Sequence, residues 1–260
     1  MDFISRMLFV LVLTFLSTSL TVLSTEESPP SSSNPNLQSS FPWKKNIVTT
    51  TFWIGQGRTS YSAANNVKSA WDEEWKENYG GFDDPDRRIG FAPSKFAPTL
   101  NPFYIALPFN DIKYPDLAKK FVPWYKTPAP SERYISQCKG RWIQIKTKSG
   151  KVCYGQWEDV GPIRYDMAGY VFGNERPREF NKAGLDVSPA ISNYLGLSGL
   201  NQTDWRFVEA SEVPLGPWLK YGEQAILFSA IKKQEESLVK KMASESSAGA
   251  KRRSPSDRIN

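Results

Sequence analysis

Two carboxylates stand where they could do chemistry. Asp159 lies in Trp157-Glu158-Asp159-Val160-Gly161-Pro162, at the end of an extended run where a Gly-Pro turn begins. Asp186 lies in Gly184-Leu185-Asp186-Val187-Ser188-Pro189, directly before a helix start. A carboxyl between apolar neighbours is either buried or held at a rim. Burial raises its pKa and keeps a proton available, which is what a general acid needs. Two carboxyls flanking a glycosidic bond are the usual arrangement for hydrolysis. Structural roles are open to both: Asp186 can cap the helix, and Asp159 can fix the turn.

Composition narrows the field. The chain has 260 residues and no His. That removes the Ser-His-Asp and Cys-His arrangements and the commonest metal ligand, so neither a metal nor a cofactor is expected. Aromatic residues make up 13% of the chain, with 9 Trp. Aromatic faces either stack on pyranose rings or fill a small barrel's core. The net charge of +6 is uneven: residues 232–260 hold eight Lys/Arg against four acids. The remainder is close to neutral, which argues against nucleic-acid binding. The basic end either solvates the chain or touches an anionic surface. The two cysteines, Cys138 and Cys153, suggest one disulfide in an exported chain. A turn at Ser149-Gly150 would set Cys153 opposite Lys146, so the bridge would have to join other parts of the sheet. Two buried thiols are the alternative.

The elements that must position these groups follow from pattern. Arg6 precedes an apolar run, Met7 to Leu16, broken only by Thr14. Residues 1–25 read as a signal peptide. The run is short for a span of roughly 20 residues, so membrane contact is expected only if the signal stays uncleaved. Residues 26–42 are rich in Ser, Pro and Asn and read as a disordered linker. A folded domain is expected over 43–222. Within it, Ile47 to Ile54 reads as a strand, and residues 55–100 as a long loop or insertion with a short helix near Ser69 to Lys76. The acidic cluster Asp83, Asp84 and Asp86 reads as turn chemistry, because Pro85 interrupts any calcium-loop spacing.

Strands resume at Phe103 to Leu107, Arg141 to Thr147 and Val152 to Val160, with a short one at Leu185 to Val187. The Arg141 strand carries Trp142 on one face and Ile143 and Ile145 on the other, as where one side lines a barrel and the other is covered. Ser188 to Leu195 predicts a helix capped by Ser188, entered through Pro189 and ended by Gly196. Asp204 to Glu209 is a last strand. Helical spacing of apolar residues places a C-terminal helix over 223–243, followed by a disordered basic tail over 244–260. Several short strands with one helix between the last two predict a small, mainly β barrel.

Four segments, in order, resemble the RlpA-like double-psi β-barrel family. They are Thr51-Phe52-Trp53-Ile54-Gly55, Ala106-Leu107-Pro108-Phe109-Asn110, Glu158-Asp159-Val160-Gly161-Pro162 and Leu185-Asp186-Val187-Ser188, closed by Asp204-Trp205-Arg206-Phe207-Val208. The resemblance implies a six-stranded double-psi β-barrel that binds or acts on cell-wall glycan. In its lytic transglycosylases a carboxylate of the Gly-Pro turn works with a His before the Leu-Pro-Phe step. Asp159 takes the first position and Tyr104 the second. In the related family 45 glycoside hydrolases the segment matching Asp186 holds the general acid, and the place of the base falls at Ile54. The chain thus keeps an acid and lacks the usual partner, as expansins do.

Three readings follow. The first is a secreted, monomeric, non-hydrolytic binder of cell-wall polysaccharide, peptidoglycan or cellulose-like. Its groove would be lined by Trp53, Tyr104, Trp157 and Tyr165, with Asp159 and Asp186 as catalytic-type carboxylates bonding sugar hydroxyls. The second is a lytic transglycosylase or glycosidase. The third is a barrel that binds a protein partner. A shared groove for the two carboxylates favours the first two; a carboxylate taken up by backbone N–H groups favours the third.

Overall fold

The computed structural model describes residues 41–58, 65–178 and 181–251. The expected signal peptide and nearly all of the expected linker lie outside them. The fold is mainly β: a closed barrel of six strands, followed by a C-terminal helix. In chain order these are β1 (Lys44–Thr51), β4 (Tyr104–Leu107), β5 (Trp142–Thr147), β6 (Val152–Val160), β7 (Ala183–Val187) and β8 (Asn201–Val208). A small hairpin, β2 (Arg88–Ile89) and β3 (Ala92–Pro93), stands apart.

Around the barrel the order is β1-β7-β4-β6-β5-β8. Two neighbouring pairs, β1/β7 and β4/β6, run parallel, and the other four are antiparallel. Inward side chains form one core that includes Ile47, Ile105, Leu107, Ile143, Ile145, Trp157, Leu185, Val187, Trp205 and Phe207. Gly155 on β6 is there for a close approach. A Cβ at that position would lie 2.8 Å from Ile191 Cδ1 and 2.9 Å from Ile105 Cγ2. Its absence lets helix α4 (Pro189–Leu195) seat Ile191 against the sheet. The helix forms as the sequence predicts: the Ser188 side chain accepts from Ile191 N–H, and Gly196 closes it in the left-handed region.

Residues 65–100, the described part of the expected insertion beyond its first turn, form more than a loop. They carry α1 (Trp75–Tyr79) and the β2–β3 hairpin, and build a second core on the outer side of β4. Phe52, Ile54, Trp75, Tyr79, Tyr104 and Ala106 make it, with Phe96 and Leu100 packed alongside. All four β4 residues are therefore buried, Ile105 and Leu107 inward and Tyr104 and Ala106 outward. The expected helix at 69–76 falls later, because Ser69 to Asp72 closes a tight bridged turn first.

Asp83 does more than shape a turn. It forms a fully buried ion pair with Arg88 (Nη1 to Oδ1, 2.6 Å), and its other oxygen accepts from the Tyr104 hydroxyl at 2.7 Å. Arg88 also donates to the carbonyls of Asp84 and Phe91. This polar knot ties the insertion to β4. Asp84 does play the expected turn role, accepting from the N–H groups of Asp86 and Arg87.

Two short helices, α2 (Pro115–Phe121) and α3 (Ala168–Val171), were not legible in advance. Pro115 opens α2, with Asp116 in its first turn and Lys119 and Lys120 in its last. The C-terminal helix α5 (Gln224–Lys251) runs past residue 243, so the expected disordered tail is helical as far as Lys251. Among the described residues no helix is long and apolar enough to cross a membrane. Cys138 and Cys153 are buried free thiols, so the disulfide expectation is corrected. The β5–β6 loop pairs Thr147 N–H with the Lys151 carbonyl and sets Cys153 opposite Ile145, one residue from the expected register. Cys138 lies outside the strands, beside Asp111.

Candidate functional site

The candidate carboxylates come together. Thr50 pairs with Asp186 across β1/β7, Asp186 with Ala106 across β7/β4, and Ala106 with Asp159 across β4/β6. Residues directly opposite in register share a face. The two acids therefore flank Ala106 in one row spanning four strands. Asp159 reaches that face through a bulge. Ile105 pairs with Trp157 but Ala106 pairs with Asp159, leaving Glu158 as the extra residue. Plain alternation would have turned Asp159 inward behind Trp157; the bulge re-aims it.

The two acids differ in surroundings. Asp159 is 8% exposed, and its Oδ1 accepts from the backbone N–H of Ala70 at 2.7 Å. Burial pushes its carboxyl up to about 7, the nearby Asp186 charge adding to the rise and the Ala70 and Val160 N–H groups opposing it. Asp186 is partly exposed along its strand, and the Thr50 hydroxyl donates to its Oδ1. Desolvation pushes it up to about 6, against that hydrogen bond. A Cβ on Gly161 would stand 3.4 Å from Asp186 Oδ2, so the Gly-Pro turn lies close against this carboxylate.

A third carboxyl belongs to the same neighbourhood. Desolvation raises Glu158 to about 7, opposed by Lys139 and reinforced by Asp72, Glu223 and Asp159. Lys139 Nζ lies 3.8 Å from Asp72 and 4.0 Å from Glu158, bridging the insertion to β6. Glu158 is not among the carboxylates that sequence position alone singles out. The signal was present: an acid beside Asp159 on a strand that must bulge if both are to avoid the core.

The four aromatic positions divide. Tyr104 is fully buried, its hydroxyl bonded to Asp83 and to Ile54 N–H (3.0 Å). Trp157 is fully buried in the barrel core, its indole N–H donating to the Asp159 carbonyl at 2.8 Å. Neither lines a groove; both hold the sheet together. Trp53 is half-buried, with an enclosed indole N–H that has no partner among the described residues. Tyr165 is 43% exposed, with Lys113 Nζ 5.2 Å from its ring centre. Trp53 and Tyr165 remain accessible to a ligand.

Among the described residues no cluster of three or more Cys, Asp or Glu is arranged to hold a metal ion. Ile54, the position the resemblance assigns to a hydrolase base, is buried in the second core. The arrangement offers a proton-holding acid next to a more accessible carboxylate, without a neighbouring base at either matched position. No protein-family model and no curated protein matches the sequence.

Proposed function

We propose that the chain is a non-hydrolytic, cell-wall-glycan-binding barrel of the double-psi type, exported by its N-terminal apolar segment. One observation carries the non-hydrolytic part. Tyr104 and Ile54, the two positions where a second catalytic group would stand, are enclosed in the second core. Asp159 is held by the Ala70 N–H and cannot advance on a glycosidic oxygen while that bond persists. The glycan part draws support from the Asp159–Asp186 row and from the accessible Trp53 and Tyr165. The double-psi part draws support from two parallel pairs within one closed mixed barrel.

The Ala70–Asp159 bond also favours a second reading, in which the carboxylates are structural and the barrel binds a protein. One experiment separates these. The purified protein is incubated with peptidoglycan sacculi and with cellulose, beside an Asp159→Asn, Asp186→Asn variant. Co-sedimentation with the polymer and no soluble product is the expected result. Anhydro-sugar or reducing-end products that vanish in the variant would make it an enzyme. Neither binding nor product would leave the protein-binding reading.

A further inference from the structure

Away from the carboxylate row, a cleft of about 570 Å³ opens between α2 and α3. This is within the size range of small-ligand sites. Leu117 and Phe121 of α2 and Met167 give it apolar surface, and Arg164, Asp166, Glu175 and Arg178 give it polar surface. The polar groups come as two preformed pairs. Arg164 donates to both oxygens of Asp166, each at 3.0 Å. Arg178 donates to Glu175 Oε2 at 2.6 Å.

Each pair is fixed from behind. Asp166 bridges to Phe109, and Met167 N–H bonds the Pro108 carbonyl at 2.9 Å. Glu175 N–H bonds the Gly169 carbonyl, and a Cβ on Gly169 would stand 2.6 Å from the Glu175 carboxyl. Gly169 thus makes the room in which Glu175 sits. The segment leaving Asp159, Gly161 to Asp166, runs straight into this wall, and Tyr165 lies within it.

The chemistry of the lining selects a ligand. Two guanidiniums and two carboxylates sum to no net charge, so the cleft has no general preference for anions or cations. Planar donor pairs beside planar acceptor pairs match vicinal hydroxyls, which both donate and accept. The Phe121 and Leu117 side chains match the C–H face of a sugar ring. We propose that this cleft is a binding subsite for an uncharged pyranose unit of the glycan chain, separate from the Asp159–Asp186 row. The proposal rests on the glycan reading and names where the sugar binds and of what charge class.

Calorimetric titration of the full chain tests it, with cellotetraose, the N-acetylglucosamine tetramer and, as an anionic contrast, a galacturonate tetramer. Arg178 is 74% exposed on its side chain, so Arg178→Gln leaves the fold intact. Gly169→Ala displaces only the flexible end of Glu175. Each is expected to weaken binding of a neutral tetramer about tenfold, the loss of one charged hydrogen-bonding group, while Asp86→Asn, on the exposed turn of the insertion, leaves it unchanged. Unaltered binding in both cleft variants, with loss in Asp186→Asn, would overturn the subsite and leave the glycan reading standing. Preference for the galacturonate would overturn the neutral-sugar assignment. No binding of any tetramer or of the polymers would overturn both readings.

Discussion

Asp159 and Asp186 face the same side of the barrel with only Ala106 between them, one strand to either side. Both are desolvated, and each ionises less readily because of it.

That relationship makes stability depend on pH with a definite sign. A carboxyl whose folded pKa lies above its unfolded value binds more protons in the folded state at intermediate pH. Stability is then greatest below the unfolded pKa and falls as pH rises from there through the folded one. With folded values of about 7, 6 and 7 for Asp159, Asp186 and Glu158, the fall spans roughly pH 4 to 7 and levels off above. The slope is at most about 1.4 kcal/mol per pH unit for each such group. Urea midpoints measured across pH 4 to 8 should decline. Asp159→Asn should flatten the curve by removing one titrating carboxyl, while Asn keeps an acceptor for Ala70 N–H. A midpoint that rises with pH would show that the carboxylates are stabilised as anions.

Of the acidic cluster in the insertion, only Asp83 should matter greatly. Asp83→Ala leaves Arg88 buried without its counter-ion and is expected to cost about 3–5 kcal/mol. Tyr104→Phe removes the hydroxyl that donates to the same carboxylate and accepts from Ile54 N–H, and should cost about 1–3 kcal/mol. Asp86→Ala, on the exposed turn, should stay within about 0.5 kcal/mol. Denaturant titration of the three variants reads the ranking, and equal costs for Asp83 and Asp86 would refute it.

Gly155→Ala should be destabilising by about 1–3 kcal/mol through overpacking against Ile191 and Ile105. Ile191→Val removes the Cδ1 atom that the new methyl meets. The double variant should therefore recover part of the loss, giving a coupling of about 0.5–1 kcal/mol or more. Strict additivity would mean that α4 shifts as a body instead.

Cys138 and Cys153 should titrate as two thiols with a chromogenic disulfide reagent in denaturant and hardly at all in the native protein. Burial pushes both thiols up, away from the reactive thiolate. A melting temperature that drops on adding reductant would reveal a bridge.

Much of the barrel was readable because its strands carry local marks. Val152 to Val160 and the Ser188–Gly196 helix were bounded by turn and cap residues that act within a few positions, and those bounds hold. The positions of Asp159 and Asp186 within their segments were equally plain. What they face was not. The β6 bulge depends on the pairing of residues Ala106 and Asp159, far apart in sequence, and turns an acid outward that alternation would bury. The burial of Tyr104 depends on Trp75, Tyr79 and Asp83 arriving from an insertion whose polar composition hid its aromatic core. Trp157 read equally well as a ligand platform or as core, and neighbouring strands decided it.

Consider finally the partners of a single residue. Val48 on β1 is hydrogen-bonded in ladders to Ala183 on one side and Gln202 on the other. The first strand made can find no neighbour until nearly the whole barrel has been synthesised. Contacts of such sequence separation must bear the loop-closure entropy of the intervening chain before they form. Closure is therefore a late, slow and all-or-none event, and a partly made chain stays open. Under the export proposed above, that delay would keep the chain open until it has crossed the membrane.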